Sequence, residues 1–141
     1  MSDAQPSTLL RSVVPVRAVT SIFIESLRPL AGLDLLRRVR ASIDVWLAGL
    51  AFPVDPYVVK LAAHELASNA ILHGDGGVQI LIAATETFGI VAVHDESHEM
   101  PATADAEFHG LWILSRVTNG HLTVVPVADN GKWVVAHLPA P

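Results

Sequence analysis

Apolar positions along this chain follow two rhythms. Between Asp34 and Leu50, the residues Leu35, Val39, Ile43, Trp46, Leu47 and Leu50 recur at three- and four-residue spacing. That spacing predicts an amphipathic helix with Arg37, Arg38 and Arg40 on or near its wet side. Phe52-Pro53 ends it, and Asp55-Pro56 reads as an N-cap followed by proline at the first helical position. The second helix runs to His73, with Gly74 as its stop and Asp75-Gly76-Gly77 as a turn. Elsewhere the apolar residues come in short runs that predict strands: AVTSIFIESL from Ala18 to Leu27, VQILIAATE and FGIVAVHDE as a hairpin, then HLTVVPV and KWVVAHL around the turn Ala128-Asp129-Asn130-Gly131. Between them lie an irregular ATADAEFH after Pro101 and a short helix LWILSRVT stopped at Asn119-Gly120. The order predicts an α+β two-layer sandwich, with a mixed, mainly antiparallel sheet and helices on one face. Residues 1–16, with Pro, Ser and Gln and no periodicity, are expected to be a flexible lead to a single domain over residues 17–141.

Composition narrows the function classes. At 141 residues and 51% hydrophobic, the chain suits one domain with a large core. No apolar run reaches the roughly 18 residues that a membrane span needs. No signal-like N-terminus is present, so a cytoplasmic location is expected. Cysteine is absent, which removes disulfides and thiolate metal sites. The net charge of -5 argues against nucleic acid as a partner.

The second helix carries the candidate chemistry. In HELASNAILHG, Glu65, Asn69 and His73 follow one another at four-residue intervals, beside a row of Lys60, His64 and Ser68. A solvated helix face is the commoner explanation of such a stripe. Its residue types point elsewhere, because Asn in a helix interior is a costly choice where Lys, Glu or Gln would serve. The choice makes sense if an amide oxygen and a carboxylate must sit one turn apart. His64-Glu65 does not open a zinc-protease motif, since the second histidine that motif needs is Ser68 here. Asp95, at the end of a core-like strand, could accept a hydrogen bond from an amine in a pocket or cap the following turn. His94 and His98 have helix-type ligand spacing in a segment that is not helical, so metal binding through them is disfavoured. Gly110 precedes the short helix, where a phosphate could approach the backbone.

Together these stretches resemble the histidine-kinase-like (GHKL) ATPase superfamily, and within it the bacterial anti-sigma-factor serine/threonine kinases. HELASNAILHG is similar to that family's Glu-Leu-x-x-Asn-Ala-x-x-His box, VAVHDESHEMP to the adenine box, FHGLWILSRV to the glycine box and NGKWVVAHL to the closing strand. The resemblance implies ATP and Mg2+ as cofactors. Asn69 would hold the magnesium, Glu65 would act as general base, and Asp95 would bind the adenine amino group. His109, Gly110 and Leu111 would lie by the phosphates, and His73 would support the rim of the pocket. The partners implied are a sigma factor and a small antagonist protein, with a second copy of the chain as a further candidate. Three departures stand out. No glycine follows Asp95 in DESHEMP, the glycine box lacks its first Gly and its Arg, and Trp133 stands where the closing strand often offers Thr. A non-catalytic member of the same fold, acting by protein binding, is the alternative.

Overall fold

In the computed structural model, residues 5–14, 16–27, 32–49, 53–73, 77–96, 122–127 and 131–139 are described. The elements are α1 (Pro6–Val13), a 3-10 turn at Val16–Ala18, β1 (Ser21–Leu27), α2 (Gly32–Ala48), α3 (Pro56–His73), β2 (Val78–Ala84), β3 (Phe88–Asp95), β4 (Leu122–Pro126) and β5 (Lys132–Pro139). The expected helix over LWILSRVT lies outside the described residues, as do His98, His109, Gly110 and Leu111.

The five strands form one sheet in the order β1-β2-β3-β5-β4, and every pairing among them is antiparallel. The fold is the expected α+β sandwich, with α2 and α3 layered on one face. Strand alternation sorts the core into two clusters. Val78, Ile80, Ile82, Val91, Val93, Val134, Ala136 and Leu138 sit beneath α2 and α3. Leu81, Ala83, Ile90, Ala92, Trp133 and Val135 point the other way.

The second face is where sequence expectation and structure part. Residues 6–13 are not a loose lead: they form α1, with proline in its first turn, and Leu9, Leu10 and Val14 are buried against the second cluster. The polar residues Gln5, Ser7 and Thr8 mask a short apolar group at Leu9, Leu10, Val13 and Val14, which is enough to seat two helical turns. Burying a leucine side chain contributes about 1.5–3 kcal/mol, which together with the helix's own hydrogen bonds works against the cost of ordering the segment.

The other helices follow their sequence signals closely. On α2, Val39, Ile43 and Leu47 are buried, while Arg37, Arg38 and Arg40 are exposed. At the start of α3 the Tyr57 N–H donates to Asp55 Oδ1 at 2.9 Å, so Asp55 is the N-cap. The face of α3 toward the sheet is Val59, Ala62, Ala63, Leu66, Ala67 and Ala70, all buried. Four alanines among these let the helix axis come close to the strands. The β2–β3 hairpin is closed by Thr85, whose Oγ1 accepts from the N–H groups of Thr87 and Phe88 at 3.2 and 3.1 Å.

Candidate functional site

The polar stripe of α3 divides between two flanks. Lys60 and His64 turn toward α2 and, with Arg37, Arg40, Ala41, Asp44, Tyr57 and Leu61, line a cleft of about 540 Å3 between the two helices. Lys60 Nζ meets Asp44 Oδ1 there at 2.9 Å in a half-exposed ion pair. His64 Nδ1 is buried and has no hydrogen-bond partner among the described residues. Glu65 and Asn69 lie about 100° and 140° further round the helix from His64. That turns both away from α2. Both are half-buried. They are therefore a separate pair, one turn apart, and not members of the cleft.

Connectivity decides what this pair overlooks. Only residues 74–77 separate the end of α3 from β2, so the last turn of α3 stands at the end of the sheet where β2 begins. Gln79 pairs with His94 in the antiparallel register, which brings Asp95 to that same end. Val91 and Val93 face the helices, and strand alternation puts Asp95 on that face too. Asp95 thus shares both a face and an end of the sheet with the Asn69 end of α3. His73 closes α3 at that end as well.

Asp95 is already engaged. It stands directly opposite Lys132 in the β3–β5 register, and Lys132 Nζ donates to Asp95 Oδ1 at 2.9 Å, with both side chains only 5% exposed. The backbone locks this pairing. Gly131 has φ +73°, and a Cβ placed on it would fall 1.9 Å from the Asp95 carbonyl oxygen and 2.6 Å from the Glu96 Cα. Only glycine lets the chain enter β5 so close to the chain leaving β3.

Trp133 does not take the place expected for it near a bound base. Successive strand residues alternate, so Trp133 points to the α1 face, where its ring meets His94 at a centroid distance of 5.2 Å and 57° between planes. Lys132 is the residue that faces Asp95. Parity within KWVVAHL groups it with Val134 and Ala136, and the β3–β5 pairing sets that row opposite Asp95.

The donor set fits a magnesium ion in a limited way. Among the described residues no cluster of three His, Asp or Glu side chains is assembled that could hold a metal. One amide oxygen, from Asn69, would leave the remaining positions to phosphate oxygens and water, which is how magnesium is commonly bound. No described helix is long and apolar enough to cross a membrane. In comparisons with known proteins, neither a family model nor a curated protein matches this chain.

Proposed function

We propose that this protein is a nucleotide-binding regulator that resembles the anti-sigma-factor serine/threonine kinases. In this reading it binds ATP with magnesium in the cytoplasm and phosphorylates a small antagonist protein, with a sigma factor as the second partner. The observation that carries it is Glu65 and Asn69, one turn apart and half-buried, on the flank of α3 turned away from α2, with Asp95 at the same end of the same sheet face. Asn69 Oδ1 would hold the magnesium, which when bound neutralises charge on the phosphates. Glu65 would accept the proton of the attacking serine or threonine hydroxyl. The hydroxyl oxygen then bonds to the γ-phosphorus as the bond to the bridging oxygen breaks, and ADP leaves with that electron pair.

The second reading is a non-catalytic member that works through protein contacts. The buried Asp95–Lys132 pair favours it, because the carboxylate expected to bind the base already has a cationic partner. Calorimetric titration with Mg-ATP, up to millimolar nucleotide, tests the first reading. Saturable binding that needs magnesium and is lost in Asn69→Ala supports it. No heat and no displacement of a fluorescent nucleotide would leave the protein-binding reading in its place.

A further inference from the structure

Arg37, Arg40 and Asp44 fall on one row of α2 at three- and four-residue spacing, and Tyr57, Lys60, Leu61 and His64 fall on the facing row of α3. These rows wall the cleft of about 540 Å3 between the helices, a size that suits a small ligand. Three of the chain's nine Lys and Arg residues line it, although the chain as a whole carries a net charge of -5. Among the described residues Asp44 is the one acid on the wall, and its carboxylate meets Lys60 Nζ across the cleft at 2.9 Å. Arg37 and Arg40 are exposed, and neither guanidinium has an ion-pair or hydrogen-bond partner among the described residues. The His64 ring lines the same cleft with its Nδ1 buried and unpartnered among those residues. Buried polar atoms are nearly always paired, so the wall carries an unmet hydrogen bond beside two uncompensated charges.

We propose that the α2–α3 cleft binds a small organic phosphomonoester, with Arg37 and Arg40 holding the phosphate and Tyr57 and Leu61 backing the organic part. Three cations against one carboxylate leave two positive charges on the wall. A phosphomonoester carries about -1.5 to -2 at pH 7, which is the charge that this wall balances. Arginine forks also grip phosphate oxygens two at a time, with hydrogen bonds stronger than neutral ones. Lys60 gives one N–H to Asp44 and has two more for the same phosphate. This cleft lies on a different flank of α3 from Glu65 and Asn69, and holding the ester there needs no magnesium.

The experiment titrates phenyl phosphate into isotope-labelled protein, with EDTA present to remove magnesium, and follows the amide NMR shifts. The expected result is saturation with a half-point below about 1 mM, and shifts concentrated on the facing turns of α2 and α3. Arg37→Gln and Arg40→Gln should each weaken binding about fivefold or more, and Asp44→Asn, which removes the one acid, should tighten it about threefold. Arg38→Gln, exposed on the same helix but off the cleft wall, should change it less than about twofold. All four positions are exposed, so these variants keep the fold, which thermal melting checks. Benzoate, with half the charge, should bind at least about tenfold more weakly. Shifts that fail to saturate by about 10 mM overturn the proposal. So does an Arg38→Gln loss equal to that of Arg40→Gln, since attraction would then be diffuse, and so does looser binding in Asp44→Asn. A short phosphoserine peptide that binds more than about tenfold tighter than phenyl phosphate overturns the small-molecule assignment and makes the cleft a protein contact.

Discussion

Replacing Lys132 by methionine keeps most of the aliphatic stem and deletes the ammonium that meets the 5% exposed Asp95 carboxylate at 2.9 Å. Removing one partner of a buried ion pair costs about 3–5 kcal/mol, mainly because the remaining charge is stranded. Asp95→Asn is milder, since an amide oxygen can still accept from the ammonium, and should cost about 1–3 kcal/mol. The double variant Asp95→Asn/Lys132→Met buries no charge, and neutral replacements of buried pairs often leave stability nearly unchanged. The two single losses therefore should not add in the double variant. A double-mutant cycle from urea unfolding, followed by circular dichroism, should give a coupling of about 2 kcal/mol or more, with the double variant more stable than Lys132→Met alone. Coupling below about 0.5 kcal/mol would mean that water screens the pair as it screens surface ion pairs. The closed end of β3 and β5 described above would then be wrong.

Three further outcomes can be checked on the same apparatus. Gly131→Ala should lower stability by more than about 2 kcal/mol, from a left-handed φ and a backbone collision, read as a Tm drop of roughly 4 °C or more. Leu9→Ala should cost about 2–5 kcal/mol in urea unfolding, because Leu9 is 2% exposed on the buried side of α1; a loose lead would give no loss. Asp55→Ala should cost about 0.5–2 kcal/mol through the lost cap, whereas Asp44→Ala, which breaks only the half-exposed pair with Lys60, should cost less than about 1 kcal/mol.

Much of the frame was legible because local signals and tertiary packing agree. Asp55-Pro56 opens α3 as its chemistry dictates, and Val39, Ile43 and Leu47 bury the face that their spacing selects. The misread parts depended on partners distant in sequence. VQILIAA and GIVAV are apolar at nearly every position, a pattern of strands covered on both faces, so a second layer was implied. The cover came from residues 6–13, whose polar neighbours concealed four apolar side chains. In the candidate site, the Glu65 and Asn69 interval was visible from sequence alone. What Asp95 faces was not, because that follows from the β3–β5 register across the intervening residues 96–131. Parity within KWVVAHL separates Lys132 from Trp133, but only the pairing says which of them meets the carboxylate.

The seat of α1 also sets an order of events during synthesis. Leu9 and Leu10 leave the ribosome well before Trp133 and Val135, part of the surface they rest on. At about 5–20 residues per second, the helix waits several seconds for its place to exist. Throughout that interval the nascent chain carries an apolar patch on α1 and a sheet face not yet covered. Both disappear together when β5 pairs with β3. Until β5 is made, that apolar surface is open to aggregation or to a chaperone, and its burial removes both at once.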